Sequence, residues 1–422
     1  MVQVQRILAT CGNGHLGRLG HGIGQESSKF LRIVGSLVGY EIEQVACGGA
    51  HTAVVTDDGS LFTFGQNDFG QLGHSAGDKY VAVPIEVTLP DPVVSVAAGE
   101  HHTLCLTKAD EVWAWGRHES GQCGLGDGAK PKYPEPRLVK ELNRAGIKEL
   151  AAGAEHSMAL TSAGDVLSWG AGAFGALGLG GKGAGAGGGD VKWEPQQIRG
   201  DLRSARVRSL VANYFSSGAV DDQGRAWTWG HGLHWQLGHG TMEHQMMPKQ
   251  VPGLSGVTTM ALGHMHALAG TAVGRLYTWG TDEFGALGRG EASMKVRLPV
   301  KTPTEVRGVS GLGTGAAPKA LAAGWKHSAG ITPDGRVLTW GWNGAYNEDS
   351  WFMGDSGSGQ LGQGDNHDRW DPTLVQRLHT SPKRFYDLRM SYIKPWKALQ
   401  ISCGRNHTAA VIETELDTRD LN

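Results

Sequence analysis

Residues 51–73 read HTAVVTDDGSLFTFGQNDFGQLG. Two short runs rich in β-branched and aromatic residues, Thr52 to Thr56 and Leu61 to Phe64, flank Asp57-Asp58-Gly59, a tight hairpin turn. A glycine-punctuated loop ends the unit. The same pattern restarts at His102, His156, Ser216, His266 and His327. In each of these six copies an aromatic residue stands 13 positions after the opening one: Phe64, Trp115, Trp169, Trp229, Trp279 and Trp340. Such a period signals supersecondary units that bury their faces against one another. A seventh copy is divided between the ends. His407 opens HTAAVIET, and residues 7–20, ILATCGNGHLGRLG, match LFTFGQNDFGQLG. An N-terminal strand completing the last blade closes a ring and removes its open sheet edges.

The expected fold is therefore all-β, a closed seven-bladed β-propeller forming one domain over 1–422. Blades are expected at about 21–65, 66–116, 117–170, 171–230, 231–280, 281–341 and 342–414, the last closed by 1–20, with 415–422 a frayed tail. Sixty-six glycines fit this reading because they recur with the blade period, at turns and close crossings. A net charge of −2 argues against non-specific binding of phosphate backbones by the domain as a whole. Cys11, Cys47, Cys105, Cys123 and Cys403 have no paired spacing. Their odd number, with no signal-peptide core at the start, points to an intracellular protein, cytoplasmic or nuclear. No run approaches membrane-spanning length, so no membrane insertion is expected.

The chemistry of bond-making enzymes is not written here. There is no GxxxxGK[ST] phosphate loop, catalytic triad or paired carboxylate, and no enzymatic activity or cofactor is expected. His51, His102, His156, His266, His327 and His407 invite a metal reading, but residues repeated once per blade cannot converge on one ion. They are read as structural, each tying a turn, with no metal site. The repeated aromatics are read as packing between blades.

What varies inside the repeat is more informative. The two residues before the repeated position differ in every blade: Gly49-Ala50, Glu100-His101, Ala154-Glu155, Tyr214-Phe215, His264-Met265, Trp325-Lys326 and Arg405-Asn406. Strand alternation puts them on one face with Trp235, the loop 178–190 and an insertion at 342–358 that holds Trp342, Tyr346, Trp351 and Phe352. Exposed aromatics among charges suit a protein-binding surface, and the candidate face is Trp235, His264, Met265, Trp325, Lys326, Trp342, Tyr346, Trp351, Phe352, Arg405 and Asn406. A second insertion, 377–395, is expected on the opposite face. Its Lys383, Arg384, Phe385, Tyr386, Arg389 and Lys394 interleave basic and aromatic residues, a pattern that can bind single-stranded nucleic acid.

The repeat, with Gly-x-x-His-[Ser/Thr], a hairpin and Trp-Gly ahead of Gly-Gln-Leu-Gly, resembles the regulator of chromosome condensation repeat, over nearly the whole chain. The resemblance implies a seven-bladed propeller in a family that includes an exchange factor for the GTPase Ran and a plant UV-B photoreceptor. It implies a non-enzymatic regulatory or interaction propeller, with guanine-nucleotide exchange or scaffolding of a small GTPase as one activity. A UV-B sensor is an alternative, although of the three tryptophan motifs that cluster in that receptor only Gly324-Trp325-Lys326-His327-Ser328 fits. A nucleic-acid-associated adaptor acting through 377–397 is another.

Overall fold

A computed structural model describes residues 3–22, 27–74, 77–126, 128, 130–181, 190–291, 298–307, 318–344, 359–381, 384–389 and 396–416. Its strands form seven sheets, antiparallel but for one strand pair in the closing blade, arranged as a closed propeller. The first blade holds Ile42–Cys47, His51–Thr56, Leu61–Gln66 and Tyr80–Glu86, in that order from the axis outward. Five further four-stranded blades repeat it. Their inner strands are Val93–Ala98, Ile147–Ala152, Val207–Asn213, Val257–Leu262 and Ala320–Ala323, and the seventh is Lys397–Cys403. These seven line a central cavity of about 260 Å³. Their residues there are mostly alanine and glycine, small enough for seven strands to converge.

Closure follows the divided repeat. Gln3–Gly12 pairs antiparallel with His407–Leu416 over ten residues, from Gln3↔Leu416 to Gly12↔His407, including Ile7↔Ile412 and Thr10↔Ala409. Glu415 and Leu416, expected to fray, are the last residues of this ladder; 417–422 lie outside the described residues.

The strands group one position later than the expected boundaries. Ser28–Ile33 does not open the first blade but forms the outer part of the closing blade, against Gln3–Gly12. Likewise Tyr80–Glu86 closes the first blade against Leu61–Gln66 instead of opening the second. A strand after a long loop has no local mark of which sheet it joins; pairing decides. The second insertion is also corrected. Instead of a loop on the opposite face, Arg377–Ser381 runs parallel to Ser28–Ile33, and Arg384–Asp387 pairs with it. The closing sheet thereby gains two strands on its rim. Asp387, fully buried, accepts Arg377 and Arg389 at 3.1 and 2.5 Å, and these guanidinium groups hold its carboxyl well below the usual range. Phe385 stacks on His379, which stacks on Phe30.

The core sits between blades. Trp115 packs against Ala53, Val55 and Leu61 of the preceding blade and Val93 and Val96 of its own. Trp169, Trp229, Trp279 and Trp340 are likewise fully buried. The inner strands also clasp one another through side chains. Gln44 accepts the Val96 N–H and donates to its carbonyl, at 2.9 and 3.2 Å. Glu149 accepts the Leu210 N–H at 3.1 Å but, when ionised, can donate nothing; burial pushes its pKa up to about 7.

Removing residues 1–20 should leave His407–Leu416 without its outer partner, and a melting temperature lower by at least about 10 °C, or loss of soluble protein, is expected. Thermal melts of the two chains check this. Glu149→Gln should restore the two-way clasp of Gln44. The folded pKa of Glu149 lies above its unfolded value, so its contribution is complete below about 4.3 and lost as pH rises through about 7. The variant should therefore out-melt the wild type at pH 8 and gain little at pH 5.

Candidate docking face at the channel mouth

The repeated histidines do not tie their own turns; each reaches the next blade. Nε2 of His51 lies 2.9 Å from Thr103 Oγ1, that of His102 2.9 Å from Ser157 Oγ, and that of His156 2.8 Å from Ser217 Oγ. His266 meets Ser328, His327 meets Thr408, and His407 meets Thr52 across the closure. Each hydroxyl spends its one proton on a carbonyl of the preceding blade's glycine loop, as Thr103 does on Gln71 at 2.8 Å. It must then accept from the imidazole, which fixes the Nε2–H tautomer. The indole of Trp115 donates to that same Gln71 carbonyl at 2.9 Å. Burial drives these histidines far below the ordinary value, His51 to about 3 and His156 to about 4. The glycine three residues ahead is obligatory, because a Cβ at Gly48 or Gly153 would stand 2.3 or 2.2 Å from the imidazole Cε1.

The fourth blade departs from this in three places at once. Asn213 replaces the glycine, Ser216 the histidine, and Ala267 the receiving hydroxyl of the next blade. With no imidazole to clear, a side chain fits at 213. The Asn213 amide donates to the carbonyls of Leu262 and Ala323, at 2.7 and 3.2 Å, linking three inner strands. Tyr214 follows in the left-handed region, φ 46°.

From Tyr214 an arc of side chains runs around the channel mouth. Its ring lies 4.2 Å from His264, and the Trp325 indole donates to His264 Nδ1 at 2.8 Å. The Arg405 guanidinium lies 4.8 Å from the Trp325 ring centre, and Arg405 pairs with Glu100 at 3.4 Å. Five blades thus contribute one residue each. The first blade contributes bare Gly49, where a Cβ would lie 2.6 Å from the Glu100 carboxyl carbon. Beside the arc, Lys326 Nζ lies 4.6 Å from Trp325, 4.4 Å from Phe284 and 5.9 Å from Trp342. Trp325 and Trp342 meet edge to face. Burial lowers the pKa of Lys326 and raises that of Glu100, while burial, with Arg405 nearby, pushes that of His264 down to about 3.

The structure therefore joins His264, Trp325, Lys326, Trp342 and Arg405. Met265 lines a shallow recess with Phe284, Trp325 and Lys326. Trp235 sits in the corresponding loop of the fourth blade (φ 55°), half-buried and apart from the arc. Asn406 is 3 % exposed, its carbonyl taken by the Asn13 N–H, and so is a poor surface residue. Tyr346, Trp351, Phe352, Lys383 and Lys394 lie outside the described residues. Arg384, Phe385, Tyr386 and Arg389 are on the rim, far in the fold from the channel mouth. Glu100, Tyr214 and Phe284 were not in the expected site. Glu100 and Tyr214 were legible as members of the variable pairs ahead of the repeated position, and Asn213, which breaks a glycine position, singles out the blade of Tyr214. Among the described residues no three His, Cys, Asp or Glu side chains gather as metal ligands, and no helix is long and apolar enough to cross a membrane.

A family model described as the RCC1-like domain matches residues 7–412. The ultraviolet-B receptor of Arabidopsis thaliana is 29% identical over 394 residues, covering 92% of this chain and 82% of that protein. The secretion-regulating guanine nucleotide exchange factor of Mus musculus is 28% identical over 390 residues, covering 88% and 76%. The E3 ubiquitin-protein ligase HERC2 of Homo sapiens is 34% identical over 74% of this chain, which spans only 6% of the ligase. Among solved structures, Prp20p of Saccharomyces cerevisiae superposes with a TM-score of 0.77 at 20% identity, over 100% of this chain and 94% of that one.

The fourth-blade exchange makes a non-additive prediction. Ser216→His alone should destabilise by about 1–3 kcal/mol, because the Asn213 side chain occupies the imidazole's space. Asn213→Gly with Ser216→His and Ala267→Ser should recover the loss, since all three parts of the tie are then present. Denaturant unfolding of the single and triple variants checks this; equal losses in both would refute it.

Proposed function

Because the chain belongs to the RCC1-like domain family, we propose that it is a non-enzymatic regulatory propeller whose channel-mouth face docks a protein partner, with a small GTPase as the partner class. The arc from Tyr214 to Glu100 carries the reading. It holds aromatic and cationic side chains half-buried and cross-braced before any partner arrives, so little rotamer freedom remains to be lost on binding. Exchange on a GTPase needs a shaped surface that binds and distorts the nucleotide site, and no nucleophile or general base. Support for the GTPase class comes from the similarity to the secretion-regulating exchange factor and from the fold shared with Prp20p, whose binding to Gsp1p has been described. The rim insertion supports nucleic-acid binding less well, since Phe385 is stacked internally and Arg389 is paired with Asp387. Light sensing has less support too: among the described residues the ring of Trp325 meets one other indole, Trp342, and otherwise His264, Lys326 and Arg405.

The test is release of a fluorescent GDP analogue from a panel of purified small GTPases. One GTPase should respond to the wild-type chain, and Trp325→Ala should reduce the acceleration at least about tenfold, the scale of an interface anchor. A panel that never responds, or a variant as active as the wild type, would refute the GTPase reading.

A further inference from the structure

We infer that the segment of the partner that docks at the channel mouth is acidic, presenting a carboxylate beside an apolar side chain. The inference rests on the docking reading above and concerns the chemistry of the occupant. Two cations flank Trp325, with Lys326 Nζ 4.6 Å and the Arg405 guanidinium 4.8 Å from its ring centre. Among the described residues Lys326 has no ion pair within 4 Å; Glu283 and Asp368 act on it only at longer range, and Asp368 accepts the Asn343 N–H. Three rings surround its ammonium group and displace part of its water. Among the described residues Arg405 meets one acid, Glu100, through Nη1 at 3.4 Å, and its buried Nε has no hydrogen-bond partner. The buried Tyr214 hydroxyl also has none. His264 accepts at Nδ1 and so carries its proton on Nε2.

The arc therefore has hydrogen-bond donors in surplus. An incoming carboxylate finds an ammonium group already stripped of water and held in place, whereas an incoming lysine or arginine meets two fixed positive charges. The recess between Met265, Phe284, Trp325 and Lys326 offers an apolar floor beside the ammonium group, which selects an apolar neighbour for the acid. Nucleic acid is the other polyanion to consider. Its affinity comes from many phosphates along a basic stripe, and the arc offers two cations next to Glu100 and Glu283.

The full chain should be titrated, by fluorescence anisotropy, into three labelled probes: a nonapeptide of eight glutamates around a central phenylalanine, the matching lysine peptide, and a ten-nucleotide oligothymidine. The glutamate peptide should bind most tightly. Lys326→Met, which keeps the stem against the rings, and Arg405→Gln should each weaken it at least fivefold, and the pair should do so at least tenfold, with Lys326→Arg near wild type. Unchanged melting temperatures establish that the variants are folded. Tighter binding of oligothymidine would assign the face to nucleic acid and overturn the proposal. Absence of glutamate-peptide binding, or binding indifferent to both variants, would also overturn it. Tighter binding of the lysine peptide, lost on Trp325→Ala, would overturn the acidic partner while leaving the docking face in place.

Discussion

The carbonyl oxygen of Gln71 takes two hydrogen bonds from the following blade, one from the Trp115 indole and one from the Thr103 hydroxyl, and that hydroxyl in turn takes the imidazole N–H of His51. Every part is buried. One carbonyl thus fixes a glycine loop, a tryptophan on one strand, a hydroxyl on its neighbour and a histidine one blade back. Each bond contributes about 1 kcal/mol net, but an unpaired member would cost about 1–3 kcal/mol, so the relay constrains spacing more than it adds stability. It explains why the aromatic lies a fixed 13 residues from the histidine and why glycine stands three residues before it. The imidazoles must also stay neutral. Their folded pKa values lie below the unfolded one, so their contribution is complete above about pH 6.5 and lost as the pH falls toward about 3.

The fourth blade shows what the relay prevents elsewhere. While a histidine fills the space behind the turn, the residue three positions ahead of it must be glycine and has no side chain with which to bond other inner strands. Loss of the imidazole at Ser216 frees that space, and Asn213 uses it to bond two other inner strands. Tyr214 is then set against His264, and the contacts continue through Trp325 and Arg405 to Glu100. A local exchange in the scaffold thereby becomes a braced surface. The Asn213 link beneath the Tyr214 end of the arc thus goes with two residues outside the arc, Ser216 and Ala267.

Much of this was legible from residue order. The hairpin copies, their count and the division of the seventh between the chain ends require a closed ring, because each unit has an apolar face that only a neighbour can cover. The face carrying Trp325, Lys326 and Trp342 followed from alternation of strand direction. The boundaries were misplaced by one strand, since Ser28–Ile33 and Tyr80–Glu86 look alike whether they begin a sheet or end one. Arg377–Asp387 was misplaced for a similar reason: a basic-aromatic stretch has no periodicity that foretells pairing with a strand far away in sequence.

The sequence by itself determined the architecture, the closure at Gln3–Gly12 and the histidine, hydroxyl and tryptophan positions, because repeats report the same local chemistry in one blade after another. Tertiary structure alone decided which of the variable turn residues meet. Tyr214, His264, Trp325, Arg405 and Glu100 all stand two residues before the repeated position, so the period puts them on one face, but each is a different residue type and the period does not say which of them touch. They meet because seven inner strands converge on one axis and bring those turns within side-chain reach.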